Sequence, residues 1–358
     1  MKSFNHLFEI ASSDEIRALA IHKASLGKRR KFSRFLKDER LLPKTKRWVE
    51  NFYPGRHHPV IIYDGIRRKQ RTIIVPTFAE LVVQHCVVEA VKPVMFQGMY
   101  RHSYASIPER ITADGVQEKR GAHKGKKYIR RWLKDVPNTH YVLKMDIKHF
   151  FETVDHDILK AMFARKIHDD RMLDLINKII DTTDIGLPIG FYTSQWFSNF
   201  YLQGLDHYIK EQLHAKYYIR YMDDMIVFGG DKDHLHEIRR KVEQYLITQL
   251  KLEMKDNWQV FPLESRPLDF MGFKFFRNRV TLRRSIMLKC SRKAKKIYRK
   301  AKMTIYDIRQ VMSYMGWMGC TDTYGFYLEH VKPFVDFRYC MKRISRYDRR
   351  LNYGTAIL

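Results

Sequence analysis

Hydrophobic and polar positions along this chain switch between a helical and an alternating period, and the switches mark out its elements. The first 45 or so residues carry apolar positions at helical spacing, with a basic stretch at Lys28, Arg29, Arg30 and Lys31. Residues 59–76, PVIIYDGIRRKQRTIIVP, are two short β-rich runs around Asp64-Gly65, which predicts a hairpin. After Pro76, AELVVQHCVVEAVKPVM returns to helical spacing, with Pro93 as its expected end. Tyr141–Met145 reads as a strand, followed by a turn in which Asp155 or Asp157 is available to cap a helix over 158–180. Gly186, Pro188 and Gly190 interrupt the chain before SQWFSNFYLQGLDHYIKEQL resumes a helix. YYIRYMDDMIVFGG predicts strand–turn–strand, then a charged helix to about residue 250, and LDFMGFKFF predicts a further strand. From residue 286 the pattern is helical and basic. No linker rich in Gly, Ser or Pro separates these blocks, so they read as lobes of one molecule.

Composition narrows the class. At 358 residues, two or three packed units are expected, and 45% hydrophobic residues suffice for a sizeable core. Lys and Arg number 67 against 39 Asp and Glu, a net charge of +28. That surplus points to a polyanionic partner, or to no more than a basic, soluble surface. The four cysteines, Cys86, Cys290, Cys320 and Cys340, form no CxxC pair, so neither a disulfide framework nor a cysteine zinc site is expected. His57-His58, His234 and His236 read as surface residues. No secretory leader and no run long enough to span a membrane is expected, and a reducing cytoplasm fits.

Three carboxylates carry the chemistry. Asp223 and Asp224 sit between the apolar runs Tyr217–Tyr221 and Met225–Phe228. Adjacent acids with core-like flanks repel each other, and a divalent cation offsets that repulsion. The plain alternative is a solvated Asp-Asp turn. Asp146 follows another β-run, and if the strands are neighbours it converges on Asp223. Hard oxygen ligands suit Mg²⁺, and two such ions about 3.5–4 Å apart would activate a 3′-hydroxyl and hold a leaving pyrophosphate.

With Tyr221-Met222-Asp223-Asp224 and Leu143-Lys144-Met145-Asp146-Ile147-Lys148-His149-Phe150-Phe151, the chain resembles a reverse transcriptase. The first is its YxDD box and the second its first catalytic motif. The resemblance implies an α+β right hand: a helical extension over 1–45, fingers over 46–135, and a ferredoxin-like palm over 136–275 with a fingers insertion near 158–192. A helical thumb over 276–358 completes it. It implies Asp146, Asp223 and Asp224 as catalytic metal ligands, joined by the backbone carbonyl of Ile147, with two Mg²⁺ ions that Mn²⁺ can replace. Phe151 falls where the family keeps an aromatic gate against a ribose 2′-hydroxyl; its other reading is core packing. Lys69 and Arg71, at i and i+2 on one strand face, fit the motif that grips the incoming triphosphate. Ile189, Gly190 and Gln195 complete the deoxynucleotide site, and Phe270, Met271, Gly272 and Phe273 the primer grip.

Gly186-Leu187-Pro188-Ile189-Gly190-Phe191-Tyr192-Thr193-Ser194-Gln195 carries Ile-Gly…Ser-Gln. That form resembles the reverse transcriptases of diversity-generating retroelements, which make cDNA from a template-repeat RNA with errors at adenines. A group II intron-like or antiphage-defence bacterial enzyme is the alternative. Family resemblance implies template RNA, an RNA/cDNA hybrid and dNTPs as partners, a small basic pentameric accessory protein, and a bacterial or phage-encoded cytoplasmic setting. Lys124, Lys126, Lys127 and Arg130, and in the thumb Arg292, Lys293 and Lys296, are the expected phosphate contacts. Tyr128, Trp132 and Tyr298 either stack on bases or pack. The acid that protonates pyrophosphate is unassigned, with Lys255 lying before Trp258.

Overall fold

A computed structural model describes residues 4–26, 39–64, 69–107, 109–111, 117–300 and 302–355. The basic stretch 28–31, and Arg67 and Arg68 of the expected hairpin, lie outside them, as does the side chain of Lys69. The chain divides into two compact units, Met1–Gly121 with Tyr141–Val260, and Ala122–His140 with Phe261–Leu358.

The first unit is built round the helix Phe78–Phe96. Thr77 and Glu80 cap it reciprocally, the Thr77 hydroxyl accepting from Glu80 N (3.2 Å) and the Glu80 carboxylate from Thr77 N (2.7 Å). Two N–H groups that a helix start leaves unpaired are satisfied this way. Val82, Val83, Cys86, Val87, Val88, Val91 and Val94 are buried, so the helix is apolar round most of its girth. The helices Leu7–Ser12, Asp14–Ser25, Leu41–Glu50 and Tyr192–Tyr201 pack on it. Pro93 does not end it as expected; the helix runs on to Phe96, because the buried Val94 and Met95 hold the last turn at the cost of one hydrogen bond.

The expected hairpin forms from Pro59–Asp64 (β1) and Lys69–Ile74 (β2), antiparallel, with Ile62 opposite Arg71. A shorter hairpin pairs Glu109–Ile111 (β3) with Gln117–Lys119 (β4). The main sheet contains Tyr141–Asp146 (β5), Tyr217–Tyr221 (β6), Asp224–Gly229 (β7) and Gln259–Pro262 (β8), in the order β6-β7-β5-β8. The helix Lys232–Leu250 covers β5 and β7. The helix expected over 158–180 is two, His156–Ala164 and Asp170–Ile180. Asp155 caps the first and Asp169 the second, each accepting a backbone N–H three residues on.

In the second unit, Leu268–Phe270 (β9), Phe273–Phe275 (β10) and Val280–Leu282 (β11) form an antiparallel sheet. The single strand expected at LDFMGFKFF is therefore a hairpin. Met271 and Gly272 take φ of 50° and 83° and reverse the chain. The helix Ala122–Trp132, expected with the fingers, and this hairpin, expected with the palm, both belong to the second unit. With them are the helices Arg284–Tyr298, Ile305–Met318, Tyr324–His330 and Phe337–Thr355. No helix among the described residues is long and apolar enough to cross a membrane.

Candidate active site

The register of the main sheet decides where the acids meet. β5 pairs antiparallel with β7, and Asp146 stands directly opposite Asp224. β6 pairs with β7 so that Tyr221 stands opposite Asp224, which leaves Met222 and Asp223 as the turn. The Asp146 carboxylate is near enough to Asp223 to help hold its carboxyl above the usual carboxylate range. The three aspartates expected from sequence therefore share one end of one sheet.

Holding two adjacent acids there needs support from below. Met222 takes a left-handed φ of 58°, a conformation costing about 1 kcal/mol for a side chain of its kind. Its side chain is buried, its sulfur accepts from the Ser198 hydroxyl (3.3 Å), and its carbonyl accepts from Arg220 Nη1 (3.0 Å). Arg220 is itself buried and bidentate on Asp206, at 2.8 and 2.6 Å. Tyr218 donates to the same carboxylate (2.7 Å), and Asn199 accepts from Arg220 (3.1 Å). Every polar group of the pair is occupied, the condition under which a buried ion pair is tolerated. Arg220 and Asp206 were not singled out from sequence, although an arginine in the otherwise apolar run YYIRY was a legible sign.

Two lysines answer the aspartates. The segment Glu253–Lys255 lies along 146–148: Lys148 N donates to Glu253 O and Lys255 N to Asp146 O, both 2.9 Å, on either side of an Ile147–Met254 bridge. This brings Lys255 Nζ to 2.5 Å from Asp146 Oδ1. Lys144, two residues before Asp146 on the same strand face, reaches Asp224 Oδ2 at 3.4 Å. Burial, with Asp146 adding, pushes the Asp223 carboxyl up to about 6. Burial pushes Asp224 up to about 7, Lys144 opposing and the other two aspartates adding. Asp224 Oδ1 is buried without a hydrogen-bond partner. Among the described residues no three His, Cys, Asp or Glu side chains stand in an ion-holding arrangement. The donor set nevertheless suits a hard cation: three carboxylates, two of them reluctant to ionise without added positive charge, and one orphaned oxygen.

A loop ties together several of the residues expected at the nucleotide. Gly186 N donates to Val154 O (3.2 Å) and Leu187 N to Phe151 O (2.6 Å). Ile74 N, at the end of β2, donates to Ile189 O (2.8 Å). Gly190 has φ of +118°, and a Cβ there would lie 2.2 Å from Ile74 O, so no other residue fits without moving β2. Phe151 is half-buried, Ile189 half-buried, Gln195 exposed and Arg71 exposed. The structure thus links Phe151, Ile189, Gly190 and the strand of Lys69 and Arg71 by backbone hydrogen bonds.

The second unit holds the other expected contacts. Phe270, Met271, Gly272 and Phe273, expected as the primer grip, are all buried: Phe273 stacks on Trp317 (5.1 Å), and a Cβ at Gly272 would meet Ile286 Cδ1 at 2.9 Å. Lys126, expected to meet phosphate, is instead 7% exposed, its ammonium donating to Cys320 O and lying 5.7 Å from the Phe273 ring. Helical geometry turns Lys126 inward with Ile129, while Lys127 and Arg130 face out and Lys124 is half-buried. Lys289, Arg292, Lys293 and Lys296 line a cavity of about 450 Å³ beside the helix Ile305–Met318; Arg292 and Lys296 are exposed, while Lys293 pairs with Asp307 (3.3 Å).

Comparison with known proteins shows what the chain is similar to. Over 330 residues, 22% are identical to the group II intron-encoded protein LtrA of Lactococcus lactis subsp. cremoris, covering 71% of this chain and 52% of that protein. Over 100 residues, 34% are identical to the retron Ec73 reverse transcriptase of Escherichia coli, covering 24% of this chain and 32% of that one. Apo telomerase from Candida tropicalis aligns with a TM-score of 0.48 at 13% identity, over 72% of this chain and 52% of that chain. The chain spans about half the length of the first of these relatives. Residues 62–275 match the family described as reverse transcriptase (RNA-dependent DNA polymerase), and the chain belongs to that family.

Proposed function

We propose that this protein is an RNA-directed DNA polymerase that extends a primer along an RNA template by nucleotidyl transfer. The observation that carries this is the register placing Asp146 opposite Asp224 with Asp223 at the adjoining turn. Asp146, Asp223, Asp224 and the Ile147 carbonyl would hold two Mg²⁺ ions. Bound magnesium lowers the pKa of a primer 3′-hydroxyl and stabilises the departing pyrophosphate. Lys69 and Arg71 grip the triphosphate, Phe151 excludes a 2′-hydroxyl, and Ile189, Gly190 and Gln195 shape the space for the base. In this reading β1–β2 belongs to the fingers, the main sheet is the palm, and the helices after residue 284 are the thumb. Lys127, Arg130, Arg292 and Lys296 meet backbone phosphates. Primer extension on an RNA template with Mg²⁺, wild type against Asp223→Asn, tests it; equal extension by both would end the reading.

The finer reading is mutagenic retrohoming in a diversity-generating retroelement, with a small basic pentameric protein as partner. It is supported by Ile189 and Gln195 in the 186–195 segment. Ile189 offers no hydrogen bond to the nascent pair, which removes one polar check on base identity. Ile189→Gln is expected to lower misincorporation opposite adenine more than it lowers total synthesis, measured by sequencing cDNA from an adenine-rich RNA. An unchanged error spectrum favours the group II intron-like or defence alternative.

A further inference from the structure

A cavity of about 170 Å³ lies between the end of the helix Leu41–Glu50 and the start of Phe78–Phe96, and the chemistry above makes no use of it. Trp48, Asn51, Phe52, Tyr53, Gly55 and Glu80 are among its lining residues. We propose that it takes one unpaired base of a single-stranded RNA, stacked against Tyr53 and Trp48. The ligand rests on the polymerase reading, which supplies a single-stranded template; the pocket does not.

Four observations converge. The lining is aromatic and its outermost ring is open: Tyr53 is 84% exposed, whereas Phe52 beneath it is buried and Trp48 is fixed edge-on against Phe78 at 6.5 Å. A flat ring left in water beside a fixed apolar floor is a stacking platform for any base. The floor is also preformed. The Glu80 carboxylate accepts from Gly55 N (2.8 Å) and Thr77 N (2.7 Å) and lies 2.8 Å from His57 Nε2, so the turn at 53–57 is pinned to the helix start. A Cβ at Gly55 would meet Glu80 Oε1 at 3.3 Å, and that approach keeps the turn close.

Size and charge choose the ligand. The volume is below the roughly 300–1,000 Å³ of drug-sized sites, which admits one base and leaves its sugar and phosphate outside. Glu80 would repel phosphate within, while Arg47 and Arg56 are exposed on the two flanking segments where phosphates would pass. The Asn51 amide offers both a donor and an acceptor to a base edge. A chain of net charge +28 draws the polyanion there.

The test uses the whole protein with a DNA primer on an RNA template whose unpaired 5′ overhang carries one 2-aminopurine, moved position by position. Neither magnesium nor nucleotide is added, so the result does not depend on catalysis. Stacking quenches the fluorophore. The wild type is expected to quench it at one overhang position. Tyr53→Ala loses the quench and binds the overhang about ten-fold more weakly, and Tyr53→Phe keeps both. Tyr53 is 84% exposed, so its loss does not threaten folding. Quenching at no position, or quenching that survives Tyr53→Ala and Trp48→Ala, overturns the proposal. Displacement of the overhang by free ATP as readily as by unlabelled RNA assigns the pocket to a mononucleotide and also overturns it. A wild type that quenches but never extends a primer faults the polymerase reading alone.

Discussion

Asp223 and Asp224 weaken the fold that carries them. Both carboxyls are held above the ordinary 3.8, to about 6 and about 7, chiefly by burial. A group that holds its proton more tightly folded than unfolded adds stability below its unfolded value, and that contribution is lost as pH rises through its folded value. The protein kept in chelator is therefore expected to lose stability between about pH 4 and pH 7, on the order of a few kcal/mol for the coupled acids together. Magnesium at pH 8 should restore it, because added charge replaces the missing protons. Asp223→Asn separates stability from activity: its melting temperature in chelator at pH 8 should exceed the wild type's, while extension falls roughly a thousand-fold. A lower melting temperature for Asp223→Asn would mean that the carboxylate is structural. Arg220 behaves in the opposite sense. Arg220→Met strands Asp206 in the core, and chemical denaturation should show a loss of about 3–5 kcal/mol.

At the scale of elements, the proposed nucleotide site is three segments stitched by backbone. The 186–190 loop bonds to the turn of Phe151 on one side and to the end of β2 on the other. Gly190→Ala should force that second junction apart, since its Cβ would lie 2.2 Å from Ile74 O at a left-handed φ. With Arg71 displaced, the KM for dNTP is expected to rise about ten-fold or more while kcat changes less; an unchanged KM in a dNTP titration would show that β2 does not depend on the loop. This stitching was not legible in the sequence, whereas the Tyr221–Asp224 turn was, because two apolar runs bracket it and the periods on either side agree. Lys255 could not be placed, because it reaches Asp146 across 109 residues through a pairing of 253–255 with 146–148 that has no local pattern. The break at Met271-Gly272 was missed for a different reason. The apolar positions shift phase, from 268 and 270 to 273 and 275, and in so short a run that one-residue slip at Met271-Gly272 was passed over although the backbone doubles back there.

For the molecule as a whole, density of charge along the sequence is not density of charge on the surface. Lys124, Lys126, Lys127 and Arg130 look equivalent as text, yet Lys126 is 7% exposed beneath Phe273 and Cys320 while Lys127 and Arg130 face water. Counterion release distinguishes the two kinds of lysine, because only a residue that neutralises a phosphate contributes to the slope of log affinity against log salt. Arg292 and Lys296 are exposed beside the cavity on the helix Arg284–Tyr298, so Arg292→Gln and Lys296→Gln should each reduce the magnitude of that slope for a primer–template by about 0.7–0.9. Lys126→Gln should leave the slope unchanged and lower the melting temperature, since it replaces the ammonium that donates to Cys320 O with a shorter amide. Filter binding across a salt series, paired with melts, separates these outcomes. A slope loss for Lys126→Gln equal to that for Lys296→Gln would require the second unit to open when it binds nucleic acid, with Lys126 leaving its buried seat to reach a phosphate.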